Sequence, residues 1–393
     1  MQDADCEDVD SLFFDVDNDR DLDLYVVSGG NEYFGSDPRL NDRLYLNNGH
    51  TGGRPGQFTK SAGLPALSEN KSCVRAADVD HDGDLDLFVG GRVNARLYGA
   101  TPTSVLLRNN GEKGPGGPTF SPEPMVLGLI TDARFTDPDC DGWPDLLVVG
   151  EWMTPTLLRN KNGQLARTPN DLLTGLWMSL TPLPNGDFVA GNWGLNSKLR
   201  ASPTYPLRYY MADPDQNGEP DGLLAIVQHG TYYPFLGKDK LEQRLPYLKK
   251  KHLTYRASGC SLDDLFGNVL ANTRVLNAQT LASGTLHWTG DRYVFTPLPA
   301  EAQTGPLLCG LTLPGNRLLI GSGFRGTQPY EGPCDALLPT VFQLGKQTTV
   351  VYRLSISGEV RDLKQIGPDR VLLLRNNASA QIMSIKGRVL LKG

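Results

Sequence analysis

The sequence predicts an all-β protein, a seven-bladed β-propeller that carries a small helical insertion. An acidic motif with aspartates at alternate positions occurs four times, and a short apolar β run follows each copy. The related segments RLYLNNG, VLLRNNG and TLLRNKNG come after the first three runs. A long repeat built from short strands and Asn-Gly turns is typical of propellers and solenoids.

The clearest acidic motif is the segment DVDHDGDLDLFVGG, which begins at Asp78. Counted from Asp78, aspartates occupy positions 1, 3, 5 and 9, and Gly83 occupies position 6. This spacing turns alternate carboxylates toward one point, and glycine permits the positive φ of the bend, as in the first half of an EF-hand loop. Position 12 is Val89, where an EF-hand has a bidentate glutamate, and a β run follows instead of a helix. The motif therefore predicts a calcium loop that leads into a strand.

Each of the four loops offers four candidate ligands for one calcium ion. The predicted ligands are Asp15, Asp17, Asp19, Asp23, Asp78, Asp80, Asp82, Asp86, Asp137, Asp139, Asp141, Asp145, Asp213, Asp215, Asn217 and Asp221. We expect three to four calcium ions with a structural role, because each ion would neutralise carboxylates that otherwise repel one another. Magnesium is disfavoured because it tends to keep its water ligands. The alternative is a set of Asx turns that hold no metal.

Two of the loops depart from the full pattern. Arg20 stands at position 6 of the first loop, where a positive φ would cost a residue other than glycine roughly 1 kcal/mol or more. Asn217 replaces an aspartate in the fourth loop and removes one negative charge. The second and third loops therefore have the more complete predicted sites.

The repeat assigns residues 1–393 to a single propeller domain. The predicted blades span about 11–64, 73–124, 129–168, 175–205, 206–299, 304–355 and 357–393. In the fourth, sixth and seventh blades a hairpin turn of Pro, Gly, Asn or Asp residues replaces the acidic loop.

Residues 237–267 interrupt the β pattern of the fifth blade and predict a helical insertion. Leu241, Leu245 and Leu248 would lie on one helical face, and Asp239 is a candidate cap of the first helix. Pro246 favours two short helices over one long helix.

Composition and charge argue against several classes of protein. The formal net charge of −6 comes without a basic stripe, which argues against nucleic acid as a partner. No apolar run of about 18 residues predicts a membrane span. The acidic start MQDADCEDVD is no signal peptide, so a leader or lipid anchor is not visible in this chain. Six cysteines without a CxxC pair argue against zinc, and either disulfides or buried thiols remain open.

No catalytic constellation is evident in the sequence. The segment 321–326 matches GxGxxG, but the residues after it cannot open the helix that a dinucleotide site needs. The five histidines are scattered, and no GxSxG nucleophile elbow is present. Glu151-Trp152 and Asn192-Trp193 follow the second strands of two blades, where they would either line a carbohydrate or peptide site or wedge neighbouring blades together.

The acidic loops and the apolar strands after them resemble the FG-GAP/VCBS repeats of integrin-like β-propellers. Longer segments such as DRLYLNNG, TDARFTDPDCDGWPDLLVVGEW, AGNWGLNSK and TPLPAEAQTGP resemble bacterial surface proteins of the VCBS and ASPIC/UnbV group, common in Bacteroidetes-like organisms, over nearly the whole chain. The resemblance implies an exported, calcium-stabilised propeller used for surface binding or assembly. It supplies no catalytic residues.

We therefore expect a non-enzymatic calcium-binding propeller, an extracellular or cell-surface module that binds or scaffolds a protein or carbohydrate. The alternative is a glycan lyase or hydrolase on the central face, since fold does not decide function. Two carboxylates about 5–10 Å apart on that face, outside the metal loops, would favour the enzyme. A third possibility is that the chain is a fragment whose function lies in a further domain.

Overall fold

The computed structural model of this protein describes residues 3–47, 49, 56–114, 117–251, 260–326, 332–345, 348–384 and 389–392. Within these ranges the chain forms seven antiparallel sheets, six of four strands and one of five. We number them sheets 1 to 7 by their first strand. An all-β chain built from such sheets is consistent with a β-propeller.

Sheets 1 to 3 use consecutive strands of the chain. Sheet 1 contains β1 (Asp8–Phe14), β2 (Asp23–Ser28), β3 (Arg43–Asn47) and β4 (Phe58–Lys60). Sheet 2 contains β5 (Asn70–Ala77), β6 (Asp86–Val93), β7 (Ser104–Gly114) and β8 (Gly117–Met125). Sheet 3 contains β9 (Leu129–Thr136), β10 (Asp145–Met153), β11 (Thr156–Lys161), β12 (Gln164–Arg167) and the short β13 (Gly175–Leu176).

The remaining sheets follow the same antiparallel plan, with one interruption. Sheet 4 contains β14 (Ser179–Pro182), β15 (Phe188–Gly191), β20 (Gly284–Trp288) and β21 (Tyr293–Pro297). Sheet 5 contains β16 (Leu207–Ala212), β17 (Asp221–Gln228), β18 (Thr231–Pro234) and β19 (Arg274–Ala278). Sheet 6 contains β22 (Leu307–Leu313), β23 (Arg317–Ser322), β24 (Thr340–Gln343) and β25 (Thr349–Arg353). Sheet 7 contains β26 (Glu359–Gly367), β27 (Arg370–Asn376), β28 (Gln381–Ser384) and β29 (Val389–Lys392).

Apolar clusters fill the spaces between successive sheets. Residues on adjacent positions of a strand point to opposite faces, so the apolar runs of the second strands can bury both faces of a sheet. Tyr25 of sheet 1 packs with Val74 of sheet 2, and Phe88 of sheet 2 packs with Ile130 of sheet 3. Similar clusters join sheet 3 to sheet 4, sheet 4 to sheet 6 and sheet 6 to sheet 7. The core is therefore a series of inter-sheet layers.

Sheet 5 is an insertion within sheet 4. Strand β15 pairs directly with β20, as in the register Phe188↔Leu286, and all of sheet 5 lies between these two strands in the chain. This pairing differs from the predicted blades 175–205 and 206–299, because residues 284–297 complete the sheet begun by 179–191. The physical reason is that Leu286 and Tyr293 bury their side chains with Trp177 between sheets 3 and 4.

The helices lie in the predicted insertion, between β18 and β19. The α-helices described there are α1 (Lys238–Arg244), α2 (Leu248–Lys251) and α3 (Leu262–Phe266), and a 3₁₀ turn at Gly267–Leu270 follows them. Two further 3₁₀ turns lie elsewhere in the chain, at Pro38–Leu40 and Ala300–Gln303. The chain breaks between α1 and α2 around Pro246, as predicted. The cap differs, because Gly237 is the N-cap of α1 and Asp239 lies in its first turn. Ser261 and Asp264 form a capping box at α3.

The predicted apolar helical face packs onto sheet 5. Leu241, Leu245 and Leu248 are buried in one cluster with Tyr210 and Leu223 of the sheet. No helix in the described ranges is long and apolar enough to span a bilayer.

The described cysteines form no disulfide. Cys73 and Cys309 are buried thiols within the apolar layers that join sheets 2 and 3 and sheets 6 and 7. Burial raises the pKa of Cys73 to about 11, so this thiol stays protonated at neutral pH.

Candidate metal centres

The four acidic loops connect the first and second strands of sheets 1, 2, 3 and 5. We number them loops 1 to 4, covering residues 15–23, 78–86, 137–145 and 213–221, so that each includes the ninth-position aspartate with which the second strand begins. Because sheets 1 to 3 have the same strand order, loops 1 to 3 leave their sheets at the same end. Contacts from Asn18 to Asp84 and from His81 to Trp143 place loops 1 to 3 side by side in a row.

All four loops share an unusual backbone with two residues at positive φ. The first, at position 4, is Asn18, His81, Cys140 or Gln216, with φ between 58° and 61°. The second, at position 6, is Arg20, Gly83, Gly142 or Gly218, with φ between 74° and 94°. Arg20 therefore adopts the strained conformation predicted for it, whereas glycine reaches it without strain.

The carboxylates at positions 1, 3 and 5 converge in loops 1 to 3. In each loop one oxygen of every carboxylate lies within 4.8 Å of the others. The three clusters are Asp15, Asp17 and Asp19; Asp78, Asp80 and Asp82; and Asp137, Asp139 and Asp141. Calcium binds oxygen at about 2.3–2.6 Å, so one ion can contact three oxygens at such separations.

Backbone amides hold the first carboxylate of each cluster in place. Asp137 accepts hydrogen bonds from the backbone N–H groups of Asp141 (3.1 Å) and Gly142 (3.0 Å). Asp15 accepts equivalent bonds from Asp19 (3.1 Å) and Arg20 (2.9 Å). The loops thus close on their own first residue.

Two of these carboxylate oxygens are buried without a hydrogen-bond donor. They are Oδ1 of Asp78 and Oδ1 of Asp139, and no protein atom in the described ranges donates to either. A buried ionised oxygen without a partner is strongly destabilising, and a cation removes that penalty. The donor set therefore fits a hard cation such as calcium.

The ninth-position aspartates lie outside the three clusters and link each loop to the third strand of its sheet. Asp23 accepts hydrogen bonds from the backbone N–H groups of Val16 (3.0 Å) and Asn47 (2.8 Å). Asp86 does the same with Val79 (3.1 Å) and Asn109 (2.9 Å). These bonds fix the loop against the strand, and direct coordination by the ninth position stays a prediction.

Burial dominates the protonation of these ninth-position carboxyls. It raises the pKa of Asp23, Asp86 and Asp145 to about 6 in each case. The hydrogen bonds from backbone N–H groups act in the opposite direction and do not outweigh it. A divalent ion beside these groups would favour the ionised form.

Two arginines on third strands approach the clusters, and the spacing of the aspartates does not predict them. The guanidinium Nη1 of Arg159 lies 2.8 Å from Oδ2 of Asp139 in loop 3. Nη1 of Arg108 lies 3.5 Å from Oδ2 of Asp80 and 3.2 Å from Oδ2 of Asp86 in loop 2. The repeated LLRN segment is the signal that could have found them, since its arginine directly precedes the asparagine that bonds the ninth aspartate.

Loop 4 has the same backbone and a weaker set of charges. Asp213 accepts hydrogen bonds from the N–H groups of Asn217 (3.0 Å) and Gly218 (2.8 Å). The side-chain amide of Asn217 donates to Oδ2 of Asp215 at 3.2 Å. This amide takes the place of a third carboxylate, so loop 4 offers two charged ligands at the first three odd positions.

Comparison with known proteins bears on this repeat. The family model described as "FG-GAP-like repeat" matches residues 15–89, from the first aspartate of loop 1 to the strand after loop 2. An FG-GAP-like repeat is present in this chain. No curated protein matches. Among solved structures, the chain is similar to a Lactobacillus plantarum protein from a structural genomics consortium, at 9% identity, with 94% of each chain covered and a TM-score of 0.37.

Sheet 4 carries a shortened turn where the FG-GAP-like repeat has its acidic loop. Asp187 there corresponds to the ninth aspartate, because its Oδ1 accepts the backbone N–H of Trp288 on the third strand (3.1 Å). His287 stands where sheets 2 and 3 have arginine, and its Nδ1 lies 2.8 Å from Oδ2 of Asp187. This turn keeps the link to the third strand and lacks the cluster of three carboxylates.

The opposite end of sheets 2 and 3 carries a partly buried polar network. Glu151 accepts hydrogen bonds from Arg92 (2.7 Å) and from the hydroxyl of Tyr98 (2.5 Å), which in turn accepts one from the Trp152 indole (2.8 Å). Burial alone would raise the pKa of Glu151, but Arg92 and Tyr98 hold it below its ordinary value. Trp152 contacts Tyr209 of sheet 5 and has a φ of 61°. It therefore wedges sheet 3 against the inserted sheet.

Proposed function

We propose that this protein is a calcium-stabilised β-propeller that serves as a non-catalytic extracellular or cell-surface binding or scaffold module for a protein or carbohydrate. The observation that carries the proposal is the row of three carboxylate clusters with buried, unpartnered oxygens in loops 2 and 3. FG-GAP-like repeats suggest such a module. We also propose membership in the VCBS and ASPIC/UnbV group of bacterial surface proteins.

The chemistry of the donors favours calcium over other ions. The clusters offer only carboxylate oxygens, which suit hard cations, and no cysteine or histidine belongs to them. Several protein oxygens around one ion suit calcium, which takes six to eight, better than magnesium, which keeps its waters. Calcium is abundant outside cells, so weak sites would be occupied there. Three ions in loops 1 to 3 and a fourth in loop 4 are proposed.

We propose that packing of successive sheets closes the propeller into a ring. Successive apolar layers join sheets 1, 2, 3, 4, 6 and 7 in chain order, and sheet 5 is inserted in sheet 4. This order favours a ring of six sheets with an appended seventh, whereas closure of seven equal blades stays a prediction. In either arrangement loops 1 to 3 lie on one face of the ring.

Two carboxylates on the first strands of sheets 1 and 3, Asp10 and Asp132, form structural ion pairs with one arginine of sheet 2. Asp10 and Asp132 both bind the guanidinium of Arg75, with Asp10 at 2.7 Å from its Nη1. Burial would raise the pKa of Asp132, but Arg134 and Arg75 hold it below its ordinary value. Such a carboxylate is a poor proton donor at neutral pH. A glycan-active enzyme on the central face stays a prediction.

Metal analysis of the purified protein tests the calcium part of the proposal. The dialysed protein would contain three to four calcium ions, and its melting temperature would fall in EDTA and recover with calcium but not with equimolar magnesium. A variant with Asp78→Asn, Asp80→Asn and Asp82→Asn would lose one ion. The control Asp369→Asn alters an exposed aspartate in a turn without a cluster and would lose none. A melting temperature that EDTA leaves unchanged, together with no bound metal, would overturn the proposal.

A glycan array tests the binding part. The calcium-loaded protein would be retained on particular glycans, or on none if its ligand is a protein, and it would leave the glycans intact. Release of shortened or unsaturated sugars from the array would instead establish the enzyme.

A further inference from the structure

We infer that loops 1, 2 and 3 bind their ions cooperatively, as one linked array, while loop 4 binds independently. This inference rests on the proposed calcium binding and adds the coupling between sites. Two sets of contacts connect each of these loops to the next. One set runs through asparagines on the third strands, and the other joins the loops directly.

The first set uses asparagines that contact two loops at once. Asn109 donates its backbone N–H to Asp86 of loop 2 (2.9 Å) and its side-chain amide to the carbonyl of Val16 in loop 1 (3.1 Å). Asn109 therefore holds the last carboxylate of one loop and the second residue of the preceding loop. A displacement of either loop would therefore disturb the hydrogen bond that Asn109 makes to the other loop.

Asn160 repeats this arrangement one sheet further along. Its backbone N–H bonds Asp145 at the end of loop 3 (2.7 Å), and its side-chain amide bonds the carbonyl of Val79 in loop 2 (2.7 Å). Both asparagines are almost fully buried, at 4% and 2% exposure for Asn109 and Asn160, so the bonds are shielded from competing water.

The second set of contacts joins the exposed parts of the loops directly. The side-chain amide of Asn18 in loop 1 donates to Oδ1 of Asp84 in loop 2 at 2.8 Å. The ring of His81 in loop 2 stacks on Trp143 in loop 3, with centroids 4.0 Å apart and planes 13° from parallel. Asn18 and His81 are the position-4 residues at positive φ, so they sit on the part of the loop that an ion would order.

Ordering one loop should therefore lower the entropy that the next loop loses when it binds its own ion. This gives positive cooperativity without a change of fold. The charge of the first ion acts in the opposite sense, because it weakens the attraction of neighbouring carboxylates for the second. Salt screens exposed charges over about 8 Å, whereas the links are direct contacts. The contact effect should dominate.

Loop 4 provides an internal comparison. It belongs to the inserted sheet 5, and Gln216, its position-4 residue, makes no hydrogen bond to another acidic loop in the described part of the chain. Its binding should follow a simple one-site curve.

Calcium titration of the whole protein, with a fluorescent calcium chelator as competitor, tests the inference. The unaltered protein should show a Hill coefficient above 1, with binding of the second and third ions at least about fivefold tighter than that of the first. The variant Asn18→Gly/His81→Asn keeps every carboxylate and tolerates positive φ at both positions, since asparagine already occupies position 4 of loop 1. It should bind the same number of ions with a lower Hill coefficient than the unaltered protein, because only the bonds of Asn109 and Asn160 still connect the loops. The control Gln216→Gly should keep the cooperativity.

The outcomes separate this inference from the proposed function. Binding of three or four ions with a Hill coefficient of 1 in the unaltered protein would overturn the coupling and leave the calcium sites intact. Binding of no ion would overturn both. Equal cooperativity in the unaltered protein and the double variant would assign the coupling to Asn109 and Asn160 alone. In that case, a loss of cooperativity in Asn109→Ala would support the inference. Cooperativity that survives both in the double variant and in Asn109→Ala would contradict it.

Discussion

Arg159 Nη1 lies 2.8 Å from Oδ2 of Asp139, in the middle of a carboxylate cluster suited to a divalent ion. The other oxygen of Asp139 is buried and has no donor in the described ranges. The guanidinium thus neutralises part of the negative charge of the cluster from the third strand. In sheet 1 the corresponding residue is Leu46, which carries no charge.

Replacing Arg159 by leucine should strengthen calcium binding in loop 3. A partly exposed ion pair contributes roughly 0.2–1 kcal/mol, so its removal should raise affinity by up to about fivefold. Calcium titration followed by the fluorescence of Trp143, which lies in loop 3, measures the change. Arg353→Leu, at an exposed position of sheet 6, is the control and should leave the titration unchanged. Weaker binding would mean that Arg159 organises the loop instead of competing with the ion.

Exchanging the position-6 residues should move strain from loop 1 to loop 2. Arg20 has a φ of 74°, and Gly83 has a φ of 94° with open space where a side chain would extend. Arg20→Gly should raise the free energy of unfolding by a few tenths to about 1 kcal/mol, because glycine removes the strain but adds freedom to the unfolded chain. Gly83→Arg should lower it by a similar amount. Urea unfolding of both variants in the presence of calcium measures the two changes in the free energy of unfolding. Changes of the same sign would refute the strain argument.

Glu151→Gln should lower stability at neutral pH and reduce the sensitivity of the protein to acid. The variant leaves Arg92 without its partly buried counter-charge, which costs roughly 1–3 kcal/mol. The folded-state pKa of Glu151 is below its ordinary value, so its stabilisation is complete above the unfolded pKa, about 4.3, and is lost as pH falls through the folded pKa.

Urea unfolding between pH 3 and pH 7 measures this effect. The stability of the unaltered protein should fall more steeply below about pH 4.3 than that of Glu151→Gln. The exposed Glu301→Gln should follow the unaltered protein. Parallel pH profiles for all three proteins would exclude Glu151 as a contributor.

Lys71→Met should be strongly destabilising, and a second change should restore part of the loss. The Lys71 ammonium is buried, donates to the carbonyls of Leu67 (2.8 Å) and Glu69 (2.9 Å), and lies 3.3 Å from Oδ1 of Asp42. Removing it leaves a buried carboxylate without its cation, at a cost of about 3–5 kcal/mol.

Adding Asp42→Asn to Lys71→Met removes the remaining buried charge, and the double variant should be more stable than Lys71→Met alone. Thermal unfolding of the three proteins measures the effect. A double variant less stable than Lys71→Met would show that Asp42 acts chiefly through Tyr25 and Ser28, whose hydroxyl and backbone N–H donate to it.

Local spacing predicted the parts of the site that depend on local geometry. The positions of Asp78, Asp80 and Asp82 were enough to predict the converging cluster, and the same spacing predicted the strain at Arg20. The helical insertion followed from the leucine period and Pro246. Each of these features is set by residues within a few positions of one another.

Features that depend on distant partners were not predictable from spacing. The pairing of β15 with β20 is decided by which strand can bury Leu286 and Tyr293 against Trp177, and the pattern of sheet 5 looks equally regular. The ninth aspartates have a ligand-like spacing and also accept hydrogen bonds from backbone amides on the third strand, so direct coordination by them stays a prediction. A pattern of residue types does not distinguish these two uses of a carboxylate.

The interruption of sheet 4 has a consequence for how the chain acquires its structure during synthesis. Strand β15 ends at Gly191, and its partner β20 begins only at Gly284. At about 5–20 residues per second, a ribosome takes roughly 5–20 s to make the intervening segment. Throughout that interval one edge of β15 has no neighbour, while sheet 5 becomes complete beside it. The nascent chain therefore builds its fifth sheet before it can finish its fourth.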